Sequence, residues 1–333
     1  MNIDSRHSIS IIIPLSDGAN YISALFASLK KQTLQPQEII FVISRLGDWK
    51  DARQIIEKEK NSSIKIIYSD PLFPGASRNL GAAQASSDWL AFLDVRTLPS
   101  ENWLESMASI SRETSCDLVL SKMVCTSDTF FHNLLQAATY GNNSVECLPG
   151  SIVNKSSFLS SGGFLENVRA GEDWEWINRF SNQNEIIKKK NAVISYHGLP
   201  NNLQELIKKW FIYSFENAKV NILLKEKFSY MGLIFIAFAI ILYRWNHIVS
   251  GEAWNEDALL FIPNLNKLFW SIFLSIYFVY RGLVKPIQSN VTLNFLMPFS
   301  WISVGILGCL IDIVKAPGRV YGSIIHLISL TKK

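Results

Sequence analysis

Short continuous apolar runs, separated by segments of helical period, organise the first two hundred residues. Ile9–Ile13 is an isoleucine-rich run stopped by Pro14, Glu38–Ile43 is a second and Ile64–Tyr68 a third. Runs this short, with no polar alternation, read as strands buried on both faces of a parallel sheet. Between them, Tyr21–Lys31 sets Ile22, Leu25, Phe26 and Leu29 at helical spacing, and Ala52–Lys60 reads as a charged helix. Pro74-Gly75 opens a turn, Ala76–Ala85 is a helical run of small residues, and Trp89–Leu93 is an apolar strand that ends on Asp94. Strands alternating with helices predict a doubly wound parallel sheet. Beyond it, Pro99 and Ser100 suit the start of a helix whose buried face is Trp103, Leu104 and Met107. Asp117–Ser121 is a further candidate strand, and Phe130–Asn143 a helix lying near either the sheet edge or a membrane surface.

After residue 200 the pattern changes. Leu203, Leu206, Ile207, Trp210, Phe211, Ser214 and Ala218 fall on one face of a helix, with Lys208, Lys209 and Lys219 off that face. A soluble core helix would look similar; the apolar runs that follow favour a helix lying in a membrane interface. Those runs are Phe228–Tyr243, Leu268–Tyr280 and Phe295–Ile311, the last closed by Asp312, each near or below the roughly 20 residues of a span. Val320–Leu330 is amphipathic. The expected division is an α/β domain over 1–200, an interface helix over 201–227 and a membrane region over 228–333 with two to three apolar helices. The segment 246–266 carries Glu252, Glu256 and Asp257 and no Lys or Arg, and Arg281 and Lys285 follow. By the positive-inside rule this fits an α/β domain on the cytoplasmic side, with two spans and an in-plane hairpin preferred over three spans. The opening MNIDSRHSIS has no apolar h-region, so no signal peptide is expected and the cytoplasmic membrane is the expected location.

Composition adds exclusions. Of 333 residues 48% are hydrophobic, and a net charge of +4 with no basic stripe gives no footprint for nucleic acid. The four cysteines, Cys116, Cys125, Cys147 and Cys309, form no CxxC pair and no cluster with histidine, which argues against a structural zinc or a disulfide framework and fits a reducing compartment.

Two stretches carry candidate chemistry. In an open α/β sheet ligands bind outside the carboxyl ends of the strands, so Asp94 is either a site acid or a strand-ending turn residue. Ser161–Arg179 runs from a double-glycine turn to Glu172-Asp173 at the start of an aromatic helix. Acids there are favoured by the helix dipole, so capping explains them; an aspartate with an ordinary pKa of about 3.9 would also be ionised near neutral pH and able to take a proton from a hydroxyl.

In order and spacing, SISIIIP, EIIFVIS, GASRNLGAAQA, FLDVRT followed by LPSENWL, GGF and GEDWEW resemble the inverting transferases of glycosyltransferase family 2, of the membrane-anchored bacterial type, over about residues 8–220. The resemblance implies a GT-A fold, a Rossmann-like doubly wound mixed sheet, and a nucleotide sugar as donor. It implies a nucleotide site at the strand-end loops, with Pro14, Ser16, Ser44 and Asp48, together with Arg78, Asp94 and Arg96. It further implies Asp173, preceded by Glu172, as the catalytic base, and Asp94 with His197 as ligands to Mn²⁺ or Mg²⁺; for His197 a buried structural role is the other reading. Three positions depart from the family pattern. Arg96 stands where a second metal-binding acid is common, an arginine being unable to ligate a metal but able to neutralise a diphosphate. Ile43 and Ser44 stand where relatives carry an aspartate pair, and PLSDGAN lacks an asparagine after its proline. Arg96 therefore points elsewhere beside a metal, replaces part of its charge, or marks lost activity. UDP is the family's default nucleotide, with GDP and dTDP as alternatives.

The combined expectation is a membrane-anchored hexosyltransferase-type enzyme moving one sugar to a membrane-associated, lipid-linked acceptor in polysaccharide or glycolipid biosynthesis of the cell envelope. The alternative is an inactive nucleotide-binding membrane scaffold of the same fold. A transporter is disfavoured by too few spans and by the lack of a charged residue at a span centre.

Overall fold

The computed structural model of the chain describes residues 8–45, 49–59, 61–220, 232 and 264–331. Asp48, the run Phe228–Tyr243 apart from Gly232, the segment 246–263 and the terminal Lys332-Lys333 lie outside the described residues. The chain divides into two compact units, one of Met1–Asp128 with Asn143–Leu199, the other of Thr129–Asn142 with Pro200–Lys333.

The first unit is built on eight strands: β1 (Ile9–Leu15), β2 (Glu38–Ser44), β3 (Ile64–Ser69), β4 (Trp89–Phe92), β5 (Thr97–Pro99), β6 (Leu118–Cys125), β7 (Val145–Asn154) and β8 (Ile186–Tyr196). Their order is β3-β2-β1-β4-β7-β6-β8-β5. The first four are parallel, Ile12 lying opposite Ile40 on one side and Phe92 on the other. The sheet is not parallel throughout. β7 runs antiparallel to β4 and β6, and β5 antiparallel to β8. The sheet is therefore mixed, as the family resemblance implies; the strand-and-helix alternation by itself pointed only to the parallel half, because chain order alone does not show that β7 enters beside β4 from the opposite end.

The uninterrupted apolar runs have a direct cause. Ile11, Ile12 and Ile13 are all fully buried, because both faces of the sheet are covered. Ile11 and Ile13 face α1 (Ala19–Lys30), α2 (Trp49–Glu59) and α4 (Trp103–Thr114), in a core with Leu25, Ile56 and Trp103. Ile12 faces α3 (Pro74–Gln84), α6 (Lys155–Ser160) and α7 (Glu172–Ser181), in a core with Phe92, Phe158, Phe164, Trp176 and Phe180. All four cysteines are free thiols.

The second unit is helical: α5 (Phe130–Ala138), α8 (Leu203–Lys219), α9 (Asn264–Val279), which continues through a π-turn at Tyr280–Val284 into α10 (Lys285–Gln288), then α11 (Leu293–Leu296) and α12 (Ser300–Thr331). The expected break at Asp312 is absent, and the third apolar run and the amphipathic stretch after it form one helix. Asp312 can sit inside that helix because it is paired: its Oδ2 lies 2.6 Å from Arg281 Nε and accepts a hydrogen bond from the Tyr277 hydroxyl at 2.7 Å. A charged residue therefore does lie within this apolar helix. Further along, Gly318 and Gly322 let the backbone of α12 close on α8, where a Cβ on Gly322 would come 2.8 Å from that of Ala218. Among the described residues one helical segment, Ser300–His326, is long and apolar enough to cross a membrane.

Candidate active site

The site begins with α3. Pro74 occupies its first turn, where no intrahelical N–H is required, and small residues let the helix press onto its neighbours. A Cβ at Gly75 would lie 2.5 Å from the Leu165 carbonyl oxygen and 3.0 Å from Glu172 Cγ. The Ser161–Phe164 turn is bolted to α3 through Asn79, which accepts from the Phe164 N–H and donates to the Phe164 carbonyl, both at 2.9 Å. Gly163 holds a φ of +65°, and a side chain there would strike Asn79 Oδ1.

The same turn fixes α7. Trp176 Nε1 donates to Ser161 Oγ at 2.9 Å, and Arg179 donates to the carbonyls of Ser161 and Gly163 while pairing with Glu175. The Trp176 ring is enclosed by Phe158, Phe164 and Phe180, with centroid separations of 5.4, 5.0 and 4.8 Å. The N-terminus of α7, with Glu172 and Asp173, is thereby set against α3 and the end of β4.

Arg78 is the centre of this arrangement. It is 5% exposed; one terminal nitrogen donates to Asp94 Oδ1 at 2.7 Å, the other to Glu172 Oε1 at 2.9 Å, and the guanidinium lies over the Phe164 ring. Burial alone would lower the affinity of Arg78 for its proton, but Asp94, Glu172 and Asp173 more than offset it and raise the pKa. Glu172 is 4% exposed, and burial together with the Asp173 charge pushes its carboxyl up to about 7, against the pull of Arg78. Asp173 is half-buried; burial and the Asp94 charge raise it, opposed by Arg78 and by the Trp174 N–H that its Oδ1 accepts at 2.8 Å. Three carboxylates thus face one guanidinium, and the Glu172–Asp173 pair holds a proton more tightly than free acids would.

The remaining predicted residues are spread along the carboxyl ends of the strands. Arg96, just past β4, is tied to Asp17 at 3.1 Å and lies over the Tyr21 ring. Its carbonyl accepts from the His197 backbone N–H at 2.9 Å, so His197 is joined to this end of the sheet through its main chain. Pro14 is half-buried in β1, opposite Val42, and Ser16 lies in the turn that follows. Ser44 is buried, its hydroxyl spanning the Leu72 N–H and carbonyl. Asp17, Tyr21 and Cys147 were not singled out as site residues from sequence; Asp17 lies within the already noted PLSDGAN turn and Phe164 within the GGF turn. Cys147 is neutral here, its thiol pushed well up by burial and by Asp94 and Asp173. Burial likewise raises the Tyr196 phenol.

The donor set does not suit a divalent ion. Asp94 is spent on Arg78, Arg96 occupies the neighbouring position, and among the described residues no group of three His, Cys, Asp or Glu side chains could hold a metal.

A mixed sheet of this order, with Asp94, Glu172 and Asp173 gathered around Arg78 at the carboxyl end of β4, has the GT-A fold. Residues 10–161 match the family described as glycosyl transferase family 2. The match ends before α7. The chain is 26% identical to glycosyltransferase AglE of Haloferax volcanii over 216 residues, 61% of this chain and 70% of the relative. It is 24% identical to an uncharacterized glycosyltransferase of Haemophilus influenzae over 186 residues, 51% of this chain but 60% of that relative's length. The fold is also that of the mannosyltransferase PcManGT of Pyrobaculum calidifontis, solved with GDP-Man and Mn²⁺, with a TM-score of 0.52, 12% identity, and coverage of 95% of this chain and 88% of that one.

Proposed function

We propose that the chain transfers a single sugar, with inversion, from a nucleotide sugar to a hydroxyl or phosphate oxygen of a membrane-associated, lipid-linked acceptor. The observation that carries this reading is Asp173: an acid at a helix N-terminus, largely but not fully buried, with its pKa raised, beside a guanidinium that holds two further acids. A base must reach its proton and be poised to accept it. Glu172, buried and committed to Arg78, meets neither need and serves to position Arg78. In the step proposed for a hydroxyl acceptor, the acceptor oxygen forms its bond to the anomeric carbon while the bond from that carbon to the diphosphate oxygen breaks. The electron pair leaves with the nucleoside diphosphate, and the acceptor proton passes to the Asp173 carboxylate.

Positive charge is needed on the leaving-group side. Arg96, on the exposed rim with Asp17 and Tyr21, supplies it in this reading, exchanging Asp17 for diphosphate oxygens. Membrane attachment rests on the apolar helix Ser300–His326, and a cytoplasmic catalytic side on the charge pattern of the sequence. Strand-end residues Pro14, Ser16, Ser44 and Asp48 then frame the nucleotide, with UDP the first to test.

The test is thermal stabilisation of the detergent-purified chain by UDP, GDP and dTDP, each with Mn²⁺ and with EDTA. At a hundredfold excess over the dissociation constant a ligand adds about 2.7 kcal/mol. The expected result is one nucleotide raising the midpoint in EDTA as in Mn²⁺, and Arg96→Ala weakening that nucleotide about tenfold or more, the loss of one charge-assisted contact. Stabilisation strictly dependent on Mn²⁺ would return the counter-charge role to a metal at Asp94. No response to any nucleotide would favour the inactive scaffold.

A further inference from the structure

The helical unit contains an open apolar groove of about 700 Å³. Its walls are Phe131 and Leu134 of α5, Leu203 of α8, and Ile306, Leu307 and Leu310 of α12. Leu134 and Leu307 form a buried floor, while Leu203 and Ile306 are about half exposed at 49% and 56%. The polar groups at its edge are few. Asn202 is occupied in capping α8, accepting from the Glu205 N–H at 2.9 Å and donating to the Glu205 carboxylate at 3.0 Å, which leaves Gln204 and Ser303.

A lining of this kind selects its occupant. A peptide would bring backbone N–H and C=O groups that need partners when buried, and the groove offers almost none. A hydrocarbon chain has no such need. One wall is the helix long and apolar enough to cross a membrane, so the groove runs along the element that would stand among lipid chains. One turn along α8 from Gln204, on the same side of the helix, is the exposed Lys208. A cation beside a hydrocarbon-lined groove is complementary to an amphiphile with an anionic head.

We propose that this groove takes the hydrocarbon tail of the acceptor lipid, whose anionic head group is drawn to Lys208. The proposal rests on the reading of the chain as a transferase with a lipid-linked acceptor, and deepens it by giving that lipid a seat. The probes are a long-chain isoprenyl monophosphate, the parent isoprenol and phosphatidylglycerol, each titrated onto the full chain in detergent with the thermal midpoint as readout.

The isoprenyl phosphate is expected to raise the midpoint. Leu203→Trp and Ile306→Trp replace exposed side chains with rings that fill the groove; they should leave the unliganded midpoint in place and weaken the isoprenyl phosphate at least tenfold. Lys208→Gln should weaken the phosphate several-fold and leave the isoprenol unchanged. Undiminished affinity in both tryptophan variants would overturn the proposal. So would phosphatidylglycerol binding as tightly as the isoprenyl phosphate, which would mean bulk lipid, or a change in oligomeric state with lipid affinity intact, which would mean a second copy. Sugar transfer onto the isoprenyl phosphate keeps the two readings apart. Full transfer by the groove-filled variants removes the groove and leaves the acceptor reading standing; groove-dependent binding with no transfer from any nucleotide sugar removes the acceptor reading and leaves the groove.

Discussion

Asp173→Asn should lower the turnover of sugar transfer by about 10²–10⁴-fold, the usual contribution of a positioned general base. The amide keeps the shape of the side chain and can still accept the Trp174 N–H, so the fold should survive. What it loses is the ability to take a proton. Nucleotide stabilisation should therefore stay within about twofold of the native chain, and the loss should fall on kcat and on kcat/KM alike, as for an interaction made only in the transition state. The pH profile adds a signature. Because burial and Asp94 raise the Asp173 carboxyl, the base is protonated at a higher pH than an exposed aspartate would be. Activity should fall as pH falls, with the acid limb displaced upward from that of an exposed aspartate, about 3.9. Glu172 and Asp173 are coupled, so the limb reports the pair rather than one residue. Turnover undiminished in Asp173→Asn would remove the base assignment and with it the mechanism.

The second large effect is on stability. Arg78→Leu should destabilise the first unit by about 3–5 kcal/mol near pH 8, the cost of leaving buried carboxylates without their partner. For a unit of this size that is a fall in the thermal midpoint of roughly 10 °C. The size should depend on pH, and the sign follows from Glu172. Its folded pKa, about 7, lies above its ordinary value of 4.5. Its stabilising contribution is therefore present in full below about 4.5 and is lost as pH rises through about 7. In the native chain Arg78 limits that loss; in Arg78→Leu only the backbone hydrogen bond at the helix start does. The gap between native and variant should accordingly narrow at pH 5, where Glu172 is protonated, and widen at pH 8. Denaturant melts at the two pH values measure it, and an equal gap at both would mean that the ion pairs do not set the stability of this cluster.

The parallel half of the sheet was readable because its strands are covered on both sides, which leaves Ile9–Ile13 and Trp89–Leu93 as unbroken apolar runs. The antiparallel half was not. β7 carries Pro149 and Gly150 in its interior, with Gly150 at a φ of +86° facing the register shift in β6, so its sequence reads as a turn. β8 opens with the lysine-rich IIKKKN, and β5 is three residues long. For the site, Asp94 was legible as a strand-ending acid and Glu172-Asp173 as a helix start, each from local pattern. That one buried arginine holds Asp94 and Glu172 together was not, because the contact joins α3, β4 and α7 across the fold. The Arg96–Asp17 pair escaped for the same reason. At Asp312 a local rule misled: a charge normally ends an apolar run, and the partner that cancels it, Arg281, lies on another helix.

The division of the chain has a practical consequence for anyone wishing to isolate the catalytic part. Its polypeptide is not continuous, since Thr129–Asn142 leaves the sheet unit between β6 and β7 and belongs to the helical one. Cutting after Leu199 would keep the whole sheet but also keep α5, whose Leu134, Leu135 and Ala138 are buried in the full chain, and would strip away the rest of the unit to which it belongs. An isolated sheet unit needs two edits: the cut, and replacement of residues 129–142 by a short polar link between Asp128 and Asn143.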